Sequence, residues 1–422
     1  MPRGCSEVSR RDFVKTAAAA VSAASAFPYF ARARGADRPL KVGLIGSGRR
    51  GTTAALNAIQ ADPNVRIVAL ADVFQDRLDT SRNTLAKKGQ QQIDDRNCFV
   101  GFDAYQKVLA TDVDYVILAT PPYYRPEHFE AAVQAGKHIF TEKPIAVDPV
   151  GVRRFMAAGT LAGEKGLCVV AGTHRRHQDG YVQTIRRIHD GAIGDILSAQ
   201  CYFNQGQLWY KQRQAGWNDL EWMIRDWVNW TWLSGDHVVE QHMHNVDVIN
   251  WVLGRHALKV VAMGGRARRV TGDQYDYFSA DLFYPLDEKD REGRLHVLSQ
   301  CRQVNGCATE ISERVIGTQG VSNCNGWISN LSDHKPSTVK PQFAYVQEHQ
   351  DLIAAIRGEK PLNESQHVAE STLTNIMIRM SAYTGAEVTW HQVMKSDLQL
   401  RQPDYALTPE NIRAHIPVPG KA

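Results

Sequence analysis

The run Lys41-Val42-Gly43-Leu44-Ile45-Gly46-Ser47-Gly48-Arg49-Arg50-Gly51 leads an apolar strand straight into a Gly-x-Gly-x-x-Gly loop, and Thr52–Ala61 continues as a helix. Few features restrict a fold more. Strand, glycine turn and helix in that order begin a parallel sheet whose turn cradles a dinucleotide. Gly46 and Gly48 permit the tight turn and the close approach of backbone to pyrophosphate, and Gly51 lets helix and strand pack closely. The helix N-terminus then offers free N–H groups to the phosphates, with Ser47, Arg49 and Arg50 in the same loop. Asp72 closes the next apolar run 21 residues after Gly51, near the spacing of a carboxylate that takes ribose hydroxyls. A carboxylate there repels a 2′-phosphate and favours NAD over NADP. Arg49 or Arg50 pulls the other way if either reaches that phosphate.

The rest of the chain extends the pattern. Val65–Ala71, Val113–Ala119, His138–Thr141 and Leu167–Ala171 read as strands, with helices at Pro126–Ala135 and Pro149–Ala162 between them. Strands alternating with helices predict an α/β doubly wound parallel sheet, a Rossmann domain over residues 39–162. After residue 195 the texture changes. Leu197–Phe203, Leu258–Gly264, Phe278–Phe283, Leu295–Gln303 and Thr309–Gly317 are strand-like at hairpin spacings, with Glu240–Leu253 a helix beside them and helices at Ala344–Arg357 and His367–Thr384. Residues 163–422 are expected to form an α+β substrate-binding and oligomerisation domain around a large open, mostly antiparallel sheet.

Ser9-Arg10-Arg11-Asp12-Phe13-Val14-Lys15, followed by a short Ala-rich apolar stretch and Ala24-Ser25-Ala26, matches a twin-arginine export signal over residues 1–33. These residues carry five basic against two acidic side chains, so they hold +3 of the formal +4 and leave about +1 for the remainder. A nucleic-acid groove loses its support, and no later segment suits stable membrane insertion. The seven cysteines contain no Cys-x-x-Cys, and buried free thiols are expected of a chain that folds before export.

Thr120-Pro121-Pro122 with His128, Glu142-Lys143-Pro144, Arg175-Arg176 and Glu240-Gln241-His242-Met243-His244-Asn245-Val246-Asp247 complete a recognisable set. With the glycine loop they resemble the Gfo/Idh/MocA family of glucose–fructose oxidoreductase, inositol dehydrogenase and related sugar enzymes, in an exported, twin-arginine form. The resemblance implies a tightly bound NAD held by Gly46–Gly51, Asp72, Thr120, Pro121, His128, Glu142 and Lys143. It makes Lys143 the lysine that contacts substrate and cofactor and His244 the catalytic histidine. Glu240 stands where the family usually has Asp, and His242 where it usually has Gly. Residues 240 and 244 fall on one helix face, so both can point into one cleft. A neutral imidazole accepts a hydroxyl proton and a lysine ammonium steadies the alcohol oxygen. Arg176, His242 and Asp247 are expected at the substrate.

Six of the nine tryptophans, at 209, 217, 222, 227, 230 and 232, crowd one stretch. They form either a stacking platform for sugar rings, with Trp230 and Trp232 as substrate contacts, or the packing of an irregular loop or subunit interface. His237, Glu240, His242 and His244 give a rival reading as metal ligands, but their spacing is no standard zinc pattern and no metal is expected. The function implied is an exported, homo-oligomeric (dimeric or tetrameric) oxidoreductase. It would oxidise a secondary hydroxyl of a sugar, glycoside or polyol, with its cofactor recycled internally in the periplasm after passage through the twin-arginine machinery. The alternative is an NAD-dependent glycosidase acting by transient oxidation and elimination. Related hydrolases tend to lack the Glu-Lys-Pro triplet, which favours the oxidoreductase. A carbohydrate-binding scaffold on an inactive fold is the third reading.

Overall fold

The computed structural model describes residues 38–329, 340–358 and 362–421, and the expected export segment lies outside them. The first part runs β1 (Leu40–Ile45), α1 (Arg49–Ala61), β2 (Val65–Asp72), α2 (Gln75–Lys88), β3 (Cys98–Val100), α3 (Ala104–Leu109), β4 (Tyr115–Leu118), α4 (Arg125–Gln134), β5 (His138–Thr141), α5 (Pro149–Glu164) and β6 (Val169–Ala171). β1 and β4 are almost wholly apolar and buried, so both sheet faces must be covered, and crossover helices do this in a parallel sheet. The strand order is β3-β2-β1-β4-β5-β6, with every neighbouring pair parallel. The order reverses between β1 and β4, which opens a crevice at the strands' carboxyl ends. The Rossmann expectation holds, but its boundary at residue 162 falls short. β6 pairs with β5 beyond that point, and Leu352 and Ile353 from a much later helix complete the core around Leu44, Ala55 and Ile67.

The second part begins with α6 (Asp179–His189) and β7 (Ile196–Gln205) and continues through short helices α7 (Asp219–Arg225), α8 (Thr231–Ser234) and α9 (His237–Glu240) to α10 (Met243–Leu253). Strands β8 (Lys259–Gly265), β9 (Tyr277–Tyr284), β10 (Leu295–Gln303), β11 (Glu310–Gly317) and β12 (Val321–Ser322) follow, then α11 (Ala344–Arg357), α12 (Ser365–Thr384) and β13 (Val388–Thr389). They form one sheet, β12-β11-β7-β10-β9-β8-β13, antiparallel except where β7 meets β10. In β9 and β10 alternate residues are buried under α10 and α12, as a one-sided sheet requires. The other face leaves Val261, Met263, Tyr277 and Leu298 exposed.

The helix expected over Glu240–Leu253 is broken. α9 ends at Glu240, Gln241 and His242 turn the chain, and α10 starts at Met243. The amide of His244 bonds the carbonyl of Gln241 instead of that of Glu240. Glu240 and His244 therefore do not share one continuous helix face, and the Glu240 carbonyl is left for a partner outside the helix.

A buried ion cluster ties the segment after β6 to α11 and α12. His177 Nδ1 lies 2.6 Å from Asp351 Oδ2, and its Nε2 lies 3.4 Å from Glu364 Oε1. Burial opposes charge on this ring, yet Glu364 and Asp351 overcome it and raise its pKa from 6.5 to about 10. Since the folded value lies above the ordinary one, the contribution to stability is complete below pH 6.5 and is lost as pH rises through about 10. His177→Gln should cost about 3 kcal/mol at pH 6.5 and less as pH climbs toward 10. Urea melts of both forms across that range test it; a difference that stays constant with pH would refute the imidazolium.

The six described cysteines, Cys98, Cys168, Cys201, Cys301, Cys307 and Cys324, are free thiols, and all but Cys98 and Cys307 are buried. Among the described residues no helix is long and apolar enough to cross a membrane.

Candidate active site

The crevice at the β1–β4 switch holds a cavity of about 550 Å³. The glycine loop forms its floor. Gly46 has φ +95°, and a Cβ there would lie 2.7 Å from the backbone of Ala119 and Thr120. A Cβ on Gly51 would stand 1.9 Å from the Gly46 carbonyl oxygen, whereas one on Gly48 would meet nothing within 4 Å. Two glycines thus fold the loop and the third keeps its outer surface low. Gly48 caps α1 without any side-chain bond, so the helix's first N–H groups face the cavity unblocked. This cradle fits a pyrophosphate. Gly46, Gly48, Arg49, Arg50, Gly51, Asp72, Thr120, Pro121 and His128 all line the cavity.

Asp72 also builds the loop: its Oδ2 accepts the Ser47 N–H at 2.8 Å and its Oδ1 that of Phe74 at 3.0 Å. Burial raises its pKa against these bonds. Thr120 Oγ1 and His128 Nδ1 share a bond at 3.1 Å, and burial lowers the His128 pKa to about 3, which keeps the ring neutral. Arg125, with no sequence signal to announce it, donates to the carbonyls of Thr120 (2.8 Å) and Pro144 (2.6 Å) and so fixes the loop after β4 against the Lys143 turn.

The Arg50 guanidinium, though it lines the cavity, is engaged by two carboxylates. Its Nε donates to Glu142 Oε1 at 2.5 Å and its NH2 to Glu348 Oε1 at 3.1 Å, over the ring of Tyr345. Glu142 therefore reaches the nucleotide site through Arg50.

Lys143 follows directly, with Nζ 2.6 Å from the Glu240 carbonyl freed by the helix break and 3.2 Å from Glu240 Oε1. The lysine's partner backbone exists only because α9 stops there. The Glu240 Oε2 is buried with no protein partner. His244 is buried, and burial, then the charges of Lys143, His174, Arg175 and Arg50, holds its pKa well below 6.5. It is a neutral imidazole. His174 packs edge-on to it at 4.7 Å between ring centres and stacks on Tyr345, a neighbour that sequence reading missed.

Several expected substrate residues already have partners within the protein. His242 is buried against the sheet, its Nε2 2.6 Å from Ser299 Oγ and 3.9 Å from Cys201 Sγ, and burial lowers its pKa to about 3. Its side chain anchors the turn between α9 and α10 to β10 and β7. Arg176 and Asp247 bind each other through two bonds of 2.8 and 3.0 Å, and Ser371 Oγ donates to Asp247 Oδ1 at 2.7 Å. That pair fixes α10. Trp230 and Trp232 lie in an apolar core with Met223, Leu233 and Ile412, and Trp232 Nε1 points at the Met223 sulfur. They are core residues, not a platform. His237 packs edge-on to Phe278, so the four residues of the metal reading do not converge, and no cluster of three ligand-type side chains occurs among the described residues. A second network was not foreseen: Glu313 accepts from Arg175, from Tyr181 Oη at 2.9 Å and from Asn245 Nδ2 at 2.6 Å, which locks the segment after β6 to α10 and β11.

Comparison with known proteins matches this architecture. Residues 40–173 match the GFO_IDH_MocA profile, described as an oxidoreductase family with an NAD-binding Rossmann fold. Inositol 2-dehydrogenase of Klebsiella pneumoniae (strain 342) is 27% identical over 214 residues, 51% of this chain and 54% of that protein. The scyllo-inositol 2-dehydrogenase (NAD(+)) of Bacillus subtilis is 22% identical over 67% of this chain and 73% of its own length. The chain thus spans about half the length of the first of these curated relatives. The crystal structure of scyllo-inositol dehydrogenase from Lactobacillus casei with bound NAD(H) and scyllo-inositol superposes with a TM-score of 0.62 at 19% identity, covering 83% of this chain and 99% of that one. Residues 40–173 are accordingly similar to the NAD-binding Rossmann domain of the Gfo/Idh/MocA oxidoreductase family.

Proposed function

We propose that the protein is an exported NAD-dependent oxidoreductase that oxidises a secondary hydroxyl of a sugar, glycoside or polyol and keeps its cofactor between turnovers. One observation carries the reading: Lys143 is held against Glu240 beside a neutral His244, next to the Glu142–Arg50 pair at the edge of the nucleotide cavity. The nicotinamide of a bound NAD supplies the hydride acceptor. The Lys143 ammonium donates to the substrate's reacting oxygen and steadies its charge as the proton leaves. His244 accepts that proton, since its burial and cationic neighbours keep it unprotonated beforehand. The bare Glu240 Oε2 is an acceptor for a further hydroxyl of a polyhydroxylated substrate. The Klebsiella and Bacillus relatives, named for inositol oxidation, support a polyol or sugar ring.

Export rests on the Arg10-Arg11 segment, and retention of NAD follows from it, because a chain working in the periplasm meets no recycled pool of soluble cofactor. A second carbohydrate then takes the hydride back. The exposed Val261, Met263, Tyr277 and Leu298 on the sheet's open face support assembly into a homo-oligomer. Mass spectrometry of nucleotide released from denatured protein should recover NAD in stoichiometric amount. Added glycosides or polyols should raise the reduced-nicotinamide absorbance. Aglycone release with no net oxidation would replace this reading by the glycosidase, and an absorbance unchanged across the panel would overturn it.

A further inference from the structure

The cavity around the glycine loop is not walled by the Rossmann domain alone. Trp209, Lys211, Ile224, Arg225 and Trp227 line it as well, all from the segment between β7 and α8. This segment crosses to the end where Asp72, Phe74 and Phe102 stand, the end whose carboxylate takes a ribose. We infer that the β7–α8 segment is a strap over the adenosine half of the nucleotide site, with Trp209 and Trp227 as its base-stacking wall and Arg225 as its latch. The inference rests on the proposal that the protein keeps NAD bound, and it names the residues that keep it.

Arg225 joins the strap to the Rossmann domain at three points. Its two terminal nitrogens donate to the two carboxylate oxygens of Asp76 on α2, each at 3.0 Å. Its guanidinium lies 3.9 Å above the ring of Phe74, beside Asp72, and 4.9 Å from the ring of Trp217 within the strap. A forked, stacked arginine holds a fixed position better than a single ion pair does. Behind the latch, Ile224 and Met223 pack with Val73, Phe74, Tyr123 and Tyr124, so the strap's base is seated on apolar surface.

The free part of the strap is stapled from within. Buried Asp226 accepts the Lys211 backbone N–H at 2.6 Å and Asn229 Nδ2 at 2.9 Å, and Trp222 Nε1 donates to the Lys211 carbonyl at 2.8 Å. These bonds hold Lys211 and its neighbour Trp209 over the cavity. Trp209 meets Trp227 edge-on, 6.3 Å between ring centres. It still exposes 45% of its surface at the cavity rim, an area that a flat heteroaromatic base would cover. Lys211 adds a cation on the side of the glycine loop, sharing a second cavity with Ser47, Gly48 and Arg49, where the phosphates would bring negative charge. The tryptophans that sequence reading offered as a sugar platform divide accordingly: Trp230 and Trp232 form core, and Trp209 and Trp227 face the nucleotide.

Stopped-flow or filter-binding measurement of NAD release from the full-length holoprotein, after dilution into excess unlabelled NAD, tests the strap. Asp76→Ala and Arg225→Ala open the latch from its two sides, and Asp76 is 61% exposed, so its loss leaves the fold intact. Each should speed release by at least about tenfold, with the double variant no faster than the single ones. Trp209→Ala should do the same and should also weaken any tryptophan quenching caused by NAD, with Trp227 left to supply the remainder. Release within twofold of wild type in all three variants would overturn the strap. If wild-type protein binds NAD but loses it on gel filtration, the retained-cofactor reading fails alone. The strap is then judged by equilibrium titration, where the variants should bind at least about tenfold more weakly and equal affinities refute it. Wild-type protein that binds no NAD refutes both.

Discussion

Lys143→Met should stop turnover while NAD stays bound, with kcat falling by about 10³- to 10⁴-fold, the scale for removing a charge that acts on the reacting oxygen. The substitution reaches further than chemistry, because Lys143 is the cation of a mostly buried pair, with its side chain 10% and that of Glu240 9% exposed. Taking it away leaves the Glu240 carboxylate and carbonyl without their donor, which costs about 3 kcal/mol in stability. Adding Glu240→Gln removes the orphaned charge. The double variant should therefore melt close to wild type and remain inactive. Single-turnover kinetics on a responsive substrate, with nucleotide content measured in parallel, separates the roles. A Lys143→Met protein that keeps more than a tenth of wild-type kcat would sink the assignment, and so would one that loses NAD in proportion to activity.

The second large effect distinguishes two glycines of the loop. Gly51→Ala drives a methyl to 1.9 Å from the Gly46 carbonyl oxygen, a collision of backbone with backbone that no side-chain rotation relieves. It should destabilise the protein by about 3 kcal/mol or more and abolish NAD binding. Gly48→Ala is the sharper test. Its backbone is extended at φ −70° and ψ −177°, and a Cβ there meets nothing within 4 Å, so the free protein should melt unchanged. NAD affinity should still fall by at least about tenfold, since the methyl stands where the pyrophosphate must approach the helix N-terminus. Calorimetric titration beside a thermal melt checks both. Unchanged affinity in Gly48→Ala would mean that the cradle binds something else.

What could be read from the chain alone was whatever local spacing controls. β1, β2 and β5 came out to within a residue, as did β10 and β11, because burial on one or both faces writes itself into apolar runs and alternation. β3 was missed because three residues carry no period. α2 was missed because only Leu78, Ser81 and Leu85 of its fourteen residues are buried. The loop glycines, Asp72 and Thr120 reached the cavity because each lies at the carboxyl end of a parallel strand or just past it, and His128 joins them from the first turn of α4.

Tertiary structure decided the rest. Apolar residues at helical spacing run through Val239, Met243 and Val246, yet the helix breaks between them. Lys143 from another domain takes the Glu240 carbonyl, and Ser299 from the sheet takes His242. Arg176 and Asp247 looked like ligand contacts, but polar side chains that find each other inside the protein satisfy one another first. The tryptophans were legible as a cluster and not as two groups, since indole suits a core and a stacking wall equally well. By itself the sequence determined a dinucleotide fold and the residues of its loop, because backbone geometry and strand order act over short spans. Which polar groups were already paired inside the protein, and which segment lies beside the glycine loop, depended on partners 57 to 149 residues away, and only the folded chain could bring those together.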